Sequence, residues 1–231
     1  ACQLKARSDC ELYLQYPAPP SDWKSLAPHT LYQANPNPDI SEHVYAVAVD
    51  LGTTHLRVSL WNRQSGRRLG TRQGLNPQVA DGADVLTRLD AERLDAHSQR
   101  SLGECVREAI IHGIRDILSR DFGEITPILM ALGRAMIVGN TAMLTLVCGN
   151  SSAPLYDPDN WQAPIACLPD DPDHWRASWH APHVQIDIIQ PLAGFIGSDL
   201  LASVLATEMT QSPSPALLLD FGTNTEIALW D

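Results

Sequence analysis

Basic residues are in short supply. The 231-residue chain carries 16 lysines and arginines against 27 aspartates and glutamates, a formal net charge of −11 with histidine neutral. Nucleic acid and anionic membrane surfaces both reward clustered Lys and Arg, so neither is expected as a partner. Long apolar runs are missing too. The most hydrophobic stretch, "AMIVGNTAMLTLVCG", is broken by Gly139, Asn140 and Thr141, short of the roughly 18 uninterrupted apolar residues of a membrane-spanning helix. No two cysteines have the CxxC spacing. Cys2, Cys10, Cys105, Cys148 and Cys167 are odd in number and scattered, which fits a reducing cytosol better than a disulfide framework, and a cytoplasmic location is expected. Cys148, inside an apolar helical pattern, is expected to be a buried small hydrophobe. Neither G-x-x-x-x-G-K-[ST] nor a strand-linked G-x-G-x-x-G occurs, which removes the P-loop and Rossmann routes to nucleotide binding. No signal-peptide pattern is present, and from the start "ACQLKARSDC", which lacks a Met, the true N-terminus is expected to lie upstream.

What is present supports a globular α/β protein. Hydrophobic residues make up 44% of the chain and charged residues 19%, enough apolar material for one large core with an appendage. Residues 1–43 open with one plausible strand, "CELYLQY", and continue as a Pro- and Asn-rich linker with no regular element. From Val44 the pattern turns to alternating apolar strands, "HVYAVAVD", "LRVSLWN" and "RRLGTRQG", read as three antiparallel strands. Asp84 to Leu94 has helical character. Leu102, Val106, Ile110, Ile114 and Ile117 recur at spacings of three and four, which predicts an amphipathic helix ending near Gly123. "ITPILMALGRAMIVGN" reads as a buried strand region, and "TAMLTLVCG" as a short helix capped by Asn140 or Thr141. Residues 149–183 read as a long loop. A helix from about Gly197 to Met209 and a hairpin, "ALLLDFGTNTEIALWD", complete the chain.

Two stretches share one plan. "AVDLGTTHLRVSL" and "LLDFGTNTEIALW" both run from an apolar strand through Asp, an apolar residue and Gly-Thr-Thr or Gly-Thr-Asn into a second apolar strand. A tip glycine, Gly52 or Gly222, is expected to take positive φ and let successive N–H groups face an anion. Thr53, Thr54, Thr223 and Asn224 add side-chain donors for the same phosphate oxygens. Asp50 and Asp220 at the strand ends offer the oxygen ligands that hydrated Mg²⁺ requires. A magnesium ion would also bring a polyphosphate onto an acidic protein. A single such loop is as easily an ordinary hairpin turn; the recurrence of the plan is what points to a pair of lobes.

In this light the sequence resembles the actin, sugar-kinase and heat-shock-chaperone superfamily of ATPases. "AVDLGTT" resembles its first phosphate loop, "MIVGNTAMLTL" its connecting strand and helix, with Asn140 at the junction, and "LLDFGTN" its second phosphate loop. A closer similarity is to the corrinoid-activating ferredoxins, the reductive activators of corrinoid proteins. "LNPQVADGADVLTRL" resembles their segment after the third strand, "IVGNTAML" their connecting element, and "GFIGSDLLASVLAT" the helix before the second loop. The resemblance implies an actin-like (ribonuclease H-like) lobe with a mixed sheet flanked by helices, plus the start of a second lobe. It implies residues 1–43 as the end of a ferredoxin domain and linker, 44–185 as the first ATPase lobe, and 186–231 as the opening of the second. It further implies ATP and Mg²⁺ at the loops and a 2Fe-2S cluster in the full-length protein, of which Cys2 would be a remaining ligand. Plant-type clusters are held by a C-x₄-C-x₂-C run and a distant fourth Cys, the place the resemblance implies for Cys2. The implied function is ATP-dependent reduction of Co(II) to Co(I) in the corrinoid partner of a methyltransferase system, and a homodimer is an admissible assembly. The chain stops directly after the second loop, so the superfamily's adenosine-binding elements are absent from it, and ATPase activity is expected only of a longer protein.

Asp199 has two readings. Sugar kinases of the superfamily place a Gly-Asp pair there as general base, which would make Asp199 the residue that orients water at the γ-phosphate; the alternative is a helix N-cap. The cluster "DDPDHWRASWHAPH" offers His174, His180 and His183, but its spacing matches no zinc pattern and reads as a flap packed by its own aromatics. Two rival functions stay open: a small-molecule kinase of the sugar type, and a non-catalytic module that docks a corrinoid protein through its Trp-rich loop.

Overall fold

A computed structural model describes residues 22–26, 34–123 and 125–231. The strand expected at "CELYLQY", the greater part of the linker and Cys2 lie outside them. Three alternating runs do form an antiparallel meander: β2 (Tyr45–Leu51), β3 (His55–Asn62) and β4 (Arg67–Leu75). A two-residue strand, β1 (Lys24–Ser25), pairs with β4. This corrects the reading of the linker as free of any regular element. The ring of Trp23 lies where a Cβ on Gly74 or Gly113 would stand, 2.9 and 3.0 Å away, so tertiary packing creates an element that composition gives no sign of.

Past β4 the chain crosses to helices on one face of the sheet. The first, α1 (Val85–Glu92), starts in a capping box between Asp84 and Thr87. The second, α2 (Ala96–Ile117), starts where Asp95 accepts from the His97 and Ser98 N–H groups, and it ends through a π-turn over Leu118–Phe122 at left-handed Gly123, φ 73°. Its apolar stripe, Leu102, Val106, Ile110, Ile114 and Ile117, is fully buried with Val47, Val49, Leu51, Leu56, Val58 and Leu60 of β2 and β3. Each such side chain contributes roughly 1.5–3 kcal/mol by leaving water.

A short helix, α3 (Thr126–Met130), then precedes β5 (Leu132–Gly139), where one buried strand region had been expected. Pro127 in its first turn is the physical reason: proline fits a helix start, where no intrahelical N–H bond is lost. The expected helix follows as α4 (Thr141–Val147), capped by Asn140, whose side chain accepts from the Met143 N–H at 3.0 Å. Cys148 is buried at its end.

The expected long loop also needs correction. It holds two 3₁₀ turns and a helix, α5 (Pro172–Trp179), with Asp171 as N-cap and proline in the first turn. Trp175 and Trp179, one turn apart, are both 0% exposed, so they belong to the core and not to a surface flap. The Trp179 indole donates to the Arg107 carbonyl at 3.1 Å, and the Arg107 guanidinium lies over the Trp175 ring. Strand β6 (Gln185–Ile188) and helix α6 (Ser198–Ala206) follow.

The main sheet is mixed, in the order β1-β4-β3-β2-β5-β6, with β2–β5 and β5–β6 parallel. The final hairpin, β7 (Ala216–Phe221) and β8 (Thr225–Trp230), is a separate two-stranded sheet. Among the described residues no helix is long and apolar enough to cross a membrane.

Candidate functional site at the facing loops

The β2–β5 register decides where the chemistry collects. Leu51 stands opposite Gly139 in the parallel ladder, so the loop after β2 and the cap of α4 leave the sheet at the same level. Asn140 then reaches sideways, its Nδ2 donating to the Thr53 Oγ1 at 3.1 Å. The loop itself is closed by the Gly52 N–H, which donates to the His55 carbonyl at 3.0 Å. A Cβ at residue 52 would lie 2.8 Å from that oxygen, and this close approach is what requires glycine. The expected positive φ is not found at Gly52 or Gly222; the left-handed glycines among the described residues are Gly66, Gly123 and Gly149.

The second loop comes over from β7–β8 to meet the first. Thr54 Oγ1 and Thr223 Oγ1 are 3.0 Å apart, across 169 positions of sequence. Between the loops lies a cleft of about 690 Å³ lined by Asp50, Gly52, Thr53, Thr54, Asn140, Asp199, Asp220, Gly222, Thr223 and Asn224. Every residue named from the sequence for the phosphate loops, the magnesium ion and the general base is therefore in one place. Asp199 occupies the first turn of α6 and Gly197 is its N-cap, which sets aside the N-cap reading. Its carboxylate accepts from the Leu200 N–H at 3.0 Å.

Three further lining residues, Arg57, Ser203 and Glu226, escaped the sequence reading. The signal for two of them was hairpin register. Asp50 stands directly across from Arg57, and their side chains pair at 3.1 Å; Asp220 stands directly across from Glu226. Ser203 had no local signal: it reaches from α6 to donate to Asp220 Oδ2 at 3.0 Å.

Acid therefore faces cation at the first loop and acid at the second. Burial pushes the Asp50 carboxyl up from its ordinary value, partly offset by Arg57, with the Asp220 charge adding to the rise. Burial likewise raises Asp199, helped by Asp50 and Asp220 and opposed by the Leu200 N–H. Glu226 is pushed up to about 7 by burial, then by Asp199 and Asp220. Four carboxylates on one cleft favour a hard divalent cation. Yet no three His, Cys, Asp or Glu side chains among the described residues converge closely enough to hold a metal by themselves. An ion here would keep its waters and share the ligand's oxygens, as Mg²⁺ with a polyphosphate does. The same holds against metal at His174, His180 and His183; His183 instead stacks with His43 at 4.4 Å.

Comparison with known proteins places this arrangement. A family described as the RACo middle region matches residues 45–212. The corrinoid activation enzyme RamQ of Eubacterium limosum is 26% identical over 203 residues, which cover 84% of this chain and 32% of that protein. The [Co(II) methylated amine-specific corrinoid protein] reductase of Methanosarcina barkeri is 28% identical over 195 residues, 80% of this chain and 34% of that one. A solved structure of a reductive activator for corrinoid, iron-sulfur protein superposes with a TM-score of 0.72 at 27% identity, over 83% of this chain and 30% of its own. The α/β fold is thus that of an actin-like lobe, with its mixed sheet flanked by helices. This chain spans about a third of the length of the curated relatives it matches. Its match across residues 45–212 makes it a member of the RACo middle-region family.

Proposed function

We propose that the chain is the nucleotide-holding part of an ATP-dependent reductive activator of a corrinoid protein. Residues 44–185 form its first ATPase lobe, with β6 completing that lobe's sheet at Ile188, the chain from there to residue 231 opens the second, and 1–43 lead in from an iron-sulfur domain whose cluster Cys2 would help to ligate. The observation that carries the reading is the meeting of two Asp-x-Gly-Thr loops across one acidic cleft, Thr54 against Thr223. The corrinoid target is taken from the printed names of the relatives.

Each residue has a part in this mechanism. Thr53, Thr54, Thr223 and Asn224 direct their donors at phosphate oxygens from opposite sides, and Asn140 holds Thr53 in place. Asp50 and Asp220 would hold Mg²⁺ through their carboxylate oxygens, and Ser203 fixes the Asp220 rotamer. The ion, when bound, supplies the positive charge that neutralises the phosphate oxygens. Asp199 orients the attacking water and accepts its proton, a role that its raised pKa suits. Hydrolysis of ATP to ADP and phosphate then changes which lobe arrangement is favoured, since the two nucleotides bind the arrangements differently. That difference would offset the uphill transfer of one electron from a reduced 2Fe-2S cluster, which is left oxidised, to Co(II), which becomes Co(I).

The test uses the protein at its natural length. Corrinoid-dependent ADP release together with the Co(I) absorption spectrum is expected, both lost in Asp50→Ala. Sugar-dependent release without a corrinoid protein would establish the kinase instead. Corrinoid-protein binding with no Mg-ATP affinity would leave only the docking module.

A further inference from the structure

The segment "LNPQVADGADVLTRL" has so far no part in the site, yet it carries the most completely buried cation of the molecule's described residues. Arg88, on α1, is 0% exposed. Its Nη1 donates to the Thr53 carbonyl at 2.6 Å and to the Met143 sulfur at 3.3 Å, and its Nε donates to the Gly82 carbonyl at 2.9 Å. Its Nη2 has no hydrogen-bond partner. Asn76, also 0% exposed, donates its side-chain Nδ2 to the Gly52 carbonyl and its backbone N–H to the Thr54 carbonyl, each at 2.9 Å. Three consecutive carbonyls of the first loop are therefore held from behind by two buried residues of one segment.

We propose that Asn76 and Arg88 are the positioning residues of the first loop, a bracket that turns it into a polyphosphate cradle. The proposal rests on the nucleotide reading of the cleft. In a planar trans peptide the carbonyl and the following N–H point in opposite directions. Tying the Gly52 and Thr53 carbonyls backward thus aims the Thr53 and Thr54 N–H groups forward, the orientation an anion nest needs. Left alone, a loop of this kind has no reason to present donors on one side only. The bracket also supplies charge. A buried guanidinium bonded to carbonyls and a thioether, with no carboxylate among its hydrogen-bond partners, places positive potential directly behind a cleft whose front is lined with acids. Burying it in that way costs stability, which is the kind of local rule-breaking expected at a functional site. Gly82 shares the design, since a Cβ there would meet the Thr87 hydroxyl at 2.3 Å and disturb the helix start that carries Arg88.

A second buried arginine provides the control. Arg107 donates to the Val147 carbonyl at 2.9 Å and lies over Trp175, away from both loops. In the protein at natural length, Arg88→Met and Arg107→Met are both expected to lower the melting temperature. Only Arg88→Met should weaken Mg-ATP and Mg-tripolyphosphate binding, by about 10- to 100-fold, the equivalent of a lost charge-assisted hydrogen bond. Arg88→Lys keeps the charge but not the fork, and should lose part of that affinity. In nucleotide-free protein it should also speed amide exchange at Gly52. A folded Arg88→Met protein that binds Mg-ATP like the parent overturns the proposal, as does an equal loss in Arg107→Met. If Arg88→Met does not fold, parent-like affinity and Gly52 exchange in Arg88→Lys overturn it. If the parent itself fails to bind Mg-ATP, the nucleotide reading is what fails, and Gly52 exchange in Arg88→Lys alone then decides whether the bracket holds the loop.

Discussion

Raising the pH should destabilise the nucleotide-free protein, and Glu226 is the group to blame. Its carboxyl titrates ordinarily at 4.5 and in the fold at about 7. Between those values the folded state binds more protons than the unfolded one, so stability is present at the acid end and lost as pH rises through the window. Taken at face value the shift is worth roughly 3 kcal/mol. Glu226 is only half-buried, and solvent screening reduces the effect to about 1 kcal/mol. For a chain of this size that is a fall in Tm of about 2–4 °C. Thermal melts in EDTA across the window would show it, and Glu226→Gln should flatten the slope, leaving the smaller contributions of Asp50 and Asp199. Mg-ATP reverses the sign, since a cation at the cleft expels the proton. Calorimetric titration near neutral pH, in two buffers of different ionisation enthalpy, should therefore detect proton release that Glu226→Gln abolishes. An unchanged pH slope in Glu226→Gln, or no proton release in the parent, refutes the account.

Two predictions concern the frame that holds the site. Arg72 is 2% exposed and bonds Asp116 and Asp121 at 2.5 and 3.0 Å; Arg72→Met should cost about 3 kcal/mol in urea unfolding, the low end for a broken buried pair because Arg120 still neutralises Asp116. Trp179→Ala, which empties a fully buried site and removes the indole's bond to the Arg107 carbonyl, should cost about 3–5 kcal/mol by the same measurement, where a surface flap would lose almost nothing.

The parts of the fold that could be read from the sequence are those where local pattern and tertiary demand agree. The 3- and 4-residue spacing through Leu102 and Ile117 becomes the buried stripe of α2, and the alternation around Asp50 becomes β2 and β3. The paired loops were legible because the same residue types recur at the same spacing. Helix α5 was hidden by Pro172 and three neighbouring aspartates, although Trp175 and Trp179 at one-turn spacing were its signal. Strand β1 had none, being two residues long and made by pairing with β4. Gly52 shows a subtler failure: the residue was right and the reason wrong, since close approach and not left-handed backbone demands it. Ser203, Glu226, Asn76 and Arg88 reach the cleft or its back wall only through tertiary packing or strand register, which single-sequence periodicity does not encode.

The parallel pairing of Leu51 with Gly139 has a consequence for how the molecule tolerates change. Because the ladder, and not the length of either connection, sets the height at which Asp50 and Asn140 emerge, residues added to the surface turns around Ser65 or Asp159 leave that height untouched. A single residue inserted within β2 or β5 would reverse every side chain beyond it, exchanging the acid at the cleft for a core aliphatic. Length variation in this lobe is therefore confined to places where the sheet does not keep count.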